Sequence, residues 1–200
     1  MREIGQITLL QVQRSALKIE LSTTSYYDPS PLVVVEHLLL SPQGVIGVTA
    51  GGIEIMDIHH EHHPDSRNHK GINGLSLGFT SHYQAMRSKL GSHVVNGIAG
   101  ENIVVESSTS HSLADLGERL AIQTQHTAQF IYLSGLKVAA PCVEFSLFAA
   151  NHGLPLPAAQ LKETLQFLDN GTRGFYARLV DLQDTVTLRV GDKVFVDDGE

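Results

Sequence analysis

Residues 32–52 have the sequence LVVVEHLLLSPQGVIGVTAGG, in which two apolar runs are separated by the turn sequence SPQG. The first run, Leu32 to Leu40, is too short to cross a bilayer and is interrupted by Glu36 and His37. Proline and glycine between the two runs favour a tight turn. The stretch therefore predicts two neighbouring β-strands, the first of them buried.

Short strand-like segments recur through the rest of the chain, separated by turns rich in glycine. They contain alternating or continuous apolar residues, as half-buried or fully buried strands do. A closed or nearly closed β-barrel would hide the edges of so many short strands, so we predict a mainly β fold of this kind. The segments are GLSLGF (74–79), ENIVVE (101–106), RLAIQT (119–124), FIYLSGLKV (130–138), GFYARLV (174–180), TVTLRV (185–190) and KVFV (193–196).

About three short helices are predicted between these strands. Helix-forming periodicity, capping residues and prolines at the first helical position mark their starts, and glycines mark their ends. LADLGE (113–118) is predicted to be a turn. The predicted helices cover residues 81–90 after a cap at Thr80, residues from Pro141 to about 151–153, and residues from Pro157 to about 170–171.

The chain of 200 residues has the size of one domain, and we predict a single domain over residues 1–200. The best boundary, STTSYYDPSP (22–31), would separate only an N-terminal hairpin and loop over residues 1–31. The formal charge of −7 argues against nucleic acid and anionic membranes as partners. The N-terminal sequence lacks the pattern of a signal peptide, so we expect a cytoplasmic protein.

Cys142 is the only cysteine, which excludes an intramolecular disulfide and a four-cysteine zinc site. It follows a predicted strand and Pro141, and would lie in the first turn of a helix. The free backbone N–H groups there would stabilise a thiolate, which can act as a nucleophile, bind a soft metal or carry a sulfane sulfur. The alternative is a buried structural cysteine.

A histidine-rich segment, DIHHEHHPDSRNH (57–69), contains five of the 11 histidines. Imidazole and carboxylate groups are ligands of zinc and iron, so Asp57, His59, His60 and His63 are candidate metal ligands. The alternative is a solvated loop that is rich in histidine. Farther along, Gly100-Glu101-Asn102 precedes a strand, where the side chains would either line a pocket or satisfy the turn backbone. The GxSxG, GxGxxG and GxxxxGK[ST] signatures are absent.

Read in order, several of these segments resemble the MOSC domain family. The resemblance covers roughly residues 44–196 and includes the Asp-x-His element Asp57-Ile58-His59, which lies upstream of the other matching segments. It implies a β-barrel that is related to molybdenum cofactor sulfurase C-terminal domains and amidoxime-reducing enzymes. The matching segments are GENIVVE (100–106), LADLGERLAI (113–122), APC (140–142) and GFYARLV with VTLRVGDKVFV near the C-terminus.

The resemblance also implies site residues. Cys142 corresponds to the cysteine that ligates molybdenum or receives sulfur, and Gly100, Glu101 and Asn102 correspond to residues near the cofactor pocket. Asp57 and His59 are further candidates. The chain departs from the family pattern at Met56, where a glycine is common, and at Ala139 and Ala140, where many relatives carry an arginine able to hold the pterin phosphate.

The main hypothesis is a protein that binds the molybdenum cofactor (molybdopterin). Cys142 would be a ligand in an oxidoreductase acting on N-oxygenated substrates, or a sulfur carrier in a sulfur transferase. We expect a small-molecule substrate or cofactor and a redox or sulfur-donor protein as partners. The alternative is a zinc- or iron-binding barrel that uses residues 57–69, either hydrolytic or non-catalytic.

Overall fold

The computed structural model describes residues 1–68, 71–179 and 181–197. Within this part of the chain there are fourteen strands and four helices. The strands are β1 (Arg2–Gln13), β2 (Lys18–Glu20), β3 (Ser25–Tyr27), β4 (Leu32–Val34), β5 (His37–Ser41), β6 (Gly44–Val48), β7 (Glu54–Met56), β8 (Leu75–Phe79), β9 (Ile103–Glu106), β10 (Arg119–Gln123), β11 (Phe130–Val138), β12 (Phe175–Arg178), β13 (Val186–Arg189) and β14 (Lys193–Val196). The helices are α1 (Thr80–Leu90), α2 (Leu113–Leu116), α3 (Val143–Asn151) and α4 (Ala158–Leu168).

Seven strands form a closed barrel in the order β14-β10-β11-β12-β8-β9-β1, and β1 pairs with β14 to complete it. All neighbours are antiparallel except β8 and β9, which are parallel. Register shifts between Glu3 and Gly5 and between Ile7 and Leu9 help β1 to turn from β14 to β9. The prediction of a closed, mainly β barrel is confirmed.

The N-terminal residues build more of the fold than a hairpin. Strand β1 belongs to the barrel wall and also pairs with β4, while β2 and β3 form a separate hairpin. A four-stranded sheet, β13-β5-β6-β7, lies beside the barrel. The apolar run 32–40 was predicted as one strand, but it divides at Val35 and Glu36 because β4 pairs with β1 and β5 pairs with β6.

Two apolar clusters hold these elements together. The larger one joins residues of the barrel strands, such as Ile7 and Phe175, to Leu38 and Leu188 of the neighbouring sheet. The smaller one contains residues of α1, α3 and α4 together with Tyr27 of β3 and Val104 of β9. Cys142 packs against this second cluster.

The three predicted helices are present as α1, α3 and α4, and each starts one or two residues away from its predicted first residue. Helix α3 begins at Val143 rather than at Pro141, because Cys142 is still extended (φ −103°, ψ 159°) and occupies the N-cap position. Phe79, not Thr80, is the N-cap of α1, and the Thr80 hydroxyl bonds the backbone of Ser107 instead. The predicted turn 113–118 contains the four-residue helix α2, which a capping box at Ser112 starts. No helix within the described residues is long and apolar enough to cross a membrane.

Candidate active site around Cys142

Cys142 lies where the chain passes from β11 into α3. Its sulfur is half-buried and accepts a hydrogen bond from the backbone N–H of Phe145 at 3.4 Å. The Ser146 hydroxyl donates to the Cys142 carbonyl oxygen at 2.8 Å, which closes the first turn of the helix. The sulfur therefore caps α3 at its positive end, a position that stabilises negative charge.

Arg173 lies beside this helix start and was not identified from the sequence. It comes from the segment between α4 and β12, where Ala139 donates a backbone hydrogen bond to Gly174 at 2.9 Å. Its guanidinium carbon lies 5.4 Å from the centroid of the Phe145 ring, and Nη2 donates to the Ala99 carbonyl oxygen at 3.2 Å. Nε is buried and has no hydrogen-bond partner among the described residues.

Several ionisable groups act on the guanidinium of Arg173. Burial by itself would lower the pKa of Arg173, but the acidic groups of Tyr176, Tyr27, Cys142 and Glu101 act in the opposite direction and keep that pKa above its ordinary value. Arg173 therefore stays positively charged in the environment that it shares with Cys142.

Glu101 is a buried carboxyl group of the site. It is 4% exposed, Oε2 accepts a hydrogen bond from the Tyr83 hydroxyl at 2.5 Å, and Oε1 has no partner among the described residues. Burial raises the pKa of Glu101 to about 7, although the bond from Tyr83 and the charge of Arg173 favour the carboxylate. Glu101 can therefore hold or release a proton near neutral pH.

Two glycines make room for this arrangement. Gly78 of β8 leaves space for the carboxyl group, because a Cβ atom at position 78 would lie 2.7 Å from Glu101 Oε1. Gly100 has φ +97°, a left-handed conformation that favours glycine, and its carbonyl oxygen accepts a hydrogen bond from Gln13 Nε2 at 2.6 Å. Gly100 thus shapes the turn that precedes Glu101.

Asn102 connects three parts of the fold and is almost completely buried. Its Oδ1 accepts hydrogen bonds from the backbone N–H of Ser76 at 3.0 Å and from the Ser76 hydroxyl at 2.9 Å. Its Nδ2 donates to Asp57 Oδ2 at 2.8 Å and to the Gln11 carbonyl oxygen at 3.3 Å. Asn102 therefore positions Asp57 against the barrel wall.

Asp57 and His59 form a buried pair at the end of this network. Asp57 Oδ1 accepts from the backbone N–H of His59 at 2.8 Å and contacts His59 Nδ1 at 2.9 Å, and Oδ2 also accepts from the backbone N–H of Gln13 at 2.8 Å. Burial alone would raise the pKa of Asp57, but these bonds and the imidazole keep it below its usual value. Because Asp57 Oδ1 contacts both the backbone N–H and the Nδ1 atom of His59, the His59 ring keeps a fixed orientation.

Tyr176 lies between His59 and Lys137. The centroids of the His59 and Tyr176 rings are 6.0 Å apart, and Lys137 Nζ is 5.5 Å from the Tyr176 centroid. Lys137 is opposite Tyr176 in the pairing of β11 with β12. Burial lowers the pKa of Lys137. Tyr176 therefore lies near the His59 ring and Lys137, and its phenol also acts on the pKa of Arg173.

The other histidines of the loop have separate contacts. His60 is buried, which lowers its pKa, and its Nδ1 accepts from the backbone N–H of His62 at 3.2 Å. His63 accepts from Asp65 at Nδ1 and contacts the Arg14 carbonyl oxygen at 3.1 Å through Nε2. Among residues 1–68, 71–179 and 181–197, no three histidine, cysteine or acidic side chains are grouped so that they could hold a metal ion. His69 lies outside the described residues.

The structure thus divides the candidate residues into three groups. Cys142 and Glu101 share the environment of Arg173, whereas Asp57, His59 and Asn102 form one network that reaches Tyr176. His60 and His63 bond to neighbouring backbone outside that network. Arg173 was missed in the sequence, where the only available signal is a basic residue in GTRG directly before a predicted strand.

Comparison with known proteins identifies the fold and the family of the chain. The crystal structure of the YuaD protein from Bacillus subtilis has a similar fold, with a TM-score of 0.54 at 12% sequence identity over 97% of this chain and 94% of that chain. None of the curated proteins compared with the chain matches it. The family model for the MOSC domain matches residues 74–195. Because these residues make up more than half of the chain and include β8 to β13, the protein belongs to the MOSC domain family.

Proposed function

We propose that this protein binds the molybdenum cofactor beside α3, with the Cys142 sulfur as a metal ligand or as the carrier of a transferable sulfur. Membership of the MOSC family suggests a molybdenum-cofactor-related function in general terms. The observation that carries the specific proposal is the half-buried Cys142 sulfur at the start of α3, next to the positively charged Arg173.

The residues around the sulfur fit a polar, anionic group. Arg173 Nε and Glu101 Oε1 are buried atoms without partners among the described residues, one a donor and one an acceptor. Buried polar groups normally have hydrogen-bond partners, so this pair suits a ligand that both accepts and donates hydrogen bonds. Cys142 would supply the soft sulfur donor, which suits a molybdenum ion better than an oxygen donor would.

When bound, the cofactor would supply the redox chemistry or accept the sulfur. The chain's own residues would prepare the site. Arg173 stabilises negative charge at the sulfur, and Phe145, which is completely buried, supports the guanidinium and shields one side of it from water. Glu101 would hold a proton at a carboxyl oxygen, and the Tyr83 hydroxyl keeps that carboxyl group in place.

The experiment that tests the proposal measures metal content by elemental analysis after production in a host that makes the cofactor. We expect near-stoichiometric molybdenum in the wild-type protein and at least a tenfold lower content in Cys142→Ser, because a hydroxyl is a poor substitute for a thiolate ligand. His62→Ala is the control, since His62 is exposed and belongs to the histidine-rich loop.

Zinc or iron in place of molybdenum, lost on His59→Ala and retained in Cys142→Ser, would contradict the proposal. If the protein is an oxidoreductase, it reduces an N-oxygenated substrate and Cys142→Ser removes that activity. If it is a sulfur carrier, the Cys142 thiol takes the outer sulfur of a persulfide donor, which leaves as its thiol, and mass spectrometry of the wild-type protein shows one additional sulfur atom on Cys142. Wild-type protein with neither molybdenum nor an added sulfur would refute both versions.

A further inference from the structure

A cleft of about 920 Å³ lies between the start of β11 and β13. Its volume is within the range of about 300 to 1,000 Å³ that is usual for ligand-binding sites. The barrel contributes Phe130 and Tyr132 to the lining, and the segment that leads into β13 contributes residues 185–187. Cys142 follows the opposite end of β11, roughly 25 Å along the strand from Phe130. The cleft is therefore separate from the candidate active site.

Strand β13 has a free edge that faces this cleft. Among the described residues it pairs only with β5. The backbone N–H of Arg189 donates to Asp192 Oδ2 at 2.7 Å, so the backbone groups of Arg189 point away from β5. Those of Thr187 point the same way, because the direction alternates along an antiparallel strand. Neighbouring side chains point to opposite faces, yet residues 185–187 all line the cleft, so the edge itself faces it.

The opposite wall of the cleft is aromatic. Phe130 and Tyr132 are 37% and 42% exposed, whereas Ile131 between them is buried in the core. The planes of the Phe130 and Tyr132 rings are inclined by 27°, and their centroids are 6.5 Å apart. The Phe195 ring packs edge-on against Phe130, with 5.7 Å between the centroids. An extended segment beside β13 would cover this apolar surface with alternate side chains.

Hydrogen bonds fix both ends of the cleft. At one end, Asp192 Oδ1 accepts from the backbone N–H of Gln125 at 2.9 Å, and Gln125 Nε2 donates to the Gly191 carbonyl oxygen at 2.5 Å. At the other end, the Ser134 hydroxyl donates to Asp181 Oδ2. These bonds hold the two walls in place before a ligand arrives, which reduces the entropy lost on binding.

The two ends of the cleft differ in charge. Asp181 and Asp184 lie at the end where β13 begins, and Arg189 lies at the other end. Arg119 also lines the acidic end but pairs with Asp197. Among the ion pairs that residues 1–68, 71–179 and 181–197 form, none involves Asp184 or Arg189. A strand antiparallel to β13 would place its N-terminal end near Arg189, so charge complementarity favours an acidic N-terminal and a basic C-terminal end.

We infer that the cleft binds an extended segment of a partner protein, which pairs with β13 as a fifth strand of the four-stranded sheet. Addition of a strand to an exposed edge is a common mode of peptide recognition. The segment exchanges hydrogen bonds with the backbone of Thr187, and its apolar side chains cover Phe130 and Tyr132. Asp184 and Arg189 set its direction. The inference is independent of the proposed function, because the cleft contains none of the candidate active-site residues.

The test measures the Kd of a fluorescein-labelled, amidated heptapeptide for the full-length protein by fluorescence anisotropy. The peptide contains alternating valine and threonine between an N-terminal glutamate and a C-terminal lysine. Thr187→Pro should raise the Kd by about fivefold or more, because proline removes the N–H on the cleft side and leaves the bonds to β5 in place.

The matched control is Glu54→Pro, on the other free edge of the same sheet. Glu54 belongs to β7, and its backbone groups point away from β6, because those of Ile53 and Asp57 point toward it. Glu54→Pro should bind the peptide as the wild type does. Cys142→Ser should also retain the wild-type affinity, because the cleft is separate from the thiol.

Variants of the peptide test its pairing and its direction. N-methylation of the valine nitrogens blocks one edge of the extended peptide, and N-methylation of the threonine nitrogens blocks the other. Only one of these two methylated peptides should bind, because only one edge pairs with β13. Exchanging the terminal glutamate and lysine should raise the Kd by about threefold or more. Phe130→Ala should weaken binding of the unmodified peptide, because it removes part of the aromatic wall.

No binding of the unmodified peptide up to about 1 mM would overturn the inference, and so would equal behaviour of the two methylated peptides. A wild-type dimer that Thr187→Pro converts to a monomer would show that a second copy of this chain occupies the edge, which would also overturn it. Circular dichroism shows whether each variant is folded. If Thr187→Pro is not, the methylated peptides and Phe130→Ala still decide the question.

Discussion

Replacing Glu101 by glutamine removes a buried carboxyl group whose pKa is about 7 in the folded protein, compared with an ordinary value of 4.5. Because the folded state binds this proton more tightly than the unfolded state, its contribution to stability is fully present below about pH 4.5. The contribution is lost as the pH rises through about 7. The two pKa values differ by roughly 2.5, which corresponds to about 3 kcal/mol of unfolding free energy.

The assay is urea unfolding of the wild type and Glu101→Gln between pH 5 and 8, followed by circular dichroism because the chain contains no tryptophan. An amide keeps an oxygen that can accept the Tyr83 hydrogen bond but does not ionise. We therefore expect the stability of Glu101→Gln relative to the wild type to increase by about 2 to 3 kcal/mol as the pH rises across this range. Contributions from other titrating groups cancel in the difference.

The matched control is Glu118→Gln, at an exposed glutamate, which should show the same stability difference from the wild type at every pH. The reasoning is refuted if the difference between Glu101→Gln and the wild type is also independent of pH. That result would mean that the Glu101 carboxyl group is ionised in the folded protein and that another group compensates its charge.

Three further predictions concern the same elements. Asp57→Asn should lower the free energy of unfolding by about 3 kcal/mol in urea titrations. The reason is that Asp57 is completely buried and its carboxylate accepts hydrogen bonds from Gln13, His59 and Asn102. A loss below about 1 kcal/mol would contradict the importance of this network. Cys142→Ser should stay within about 1 kcal/mol of the wild type, since serine is a favourable N-cap, and a much lower melting temperature would show a structural role for the thiol. Burial lowers the pKa of His82 from 6.5 to about 4, so stability from this neutral imidazole is present above pH 6.5 and is lost as the pH falls toward 4. In urea titrations, His82→Gln should remove up to about 3 kcal/mol of the stability that the wild type loses as the pH falls toward 4. An unchanged pH dependence would mean that folding does not lower the pKa of His82.

Much of the fold could be predicted from the sequence because it depends on local patterns. Runs of alternating or continuous apolar residues, bounded by glycine-rich turns, predicted the strands β8 to β14 with small errors at their ends. Where a tertiary contact competed with the local pattern, the prediction was wrong. The run 32–40 divides because two different strands pair with its halves, and Cys142 stays extended because its sulfur caps α3.

The candidate site could be predicted only in part. The sequence identified Cys142 as the single thiol and the order of motifs that the MOSC family shares, and the family match over residues 74–195 supports that order. The sequence did not show whether the Asn102 side chain lines a pocket or connects parts of the fold by hydrogen bonds. That distinction depends on Asp57, which is 45 positions away in the chain but accepts a hydrogen bond at Oδ2 from Asn102 Nδ2 at 2.8 Å.

The sequence by itself determined that this protein is a mainly β member of one family with a single thiol at a helix start. These properties depend on residue type, local periodicity and motif order, all of which are visible along the chain. Only the tertiary structure decided that Arg173, which bonds to Ala99 at a separation of 74 residues, lies in one environment with that thiol and Glu101. The physical reason is barrel closure, since pairing between distant strands sets which charges meet and how far each is removed from water.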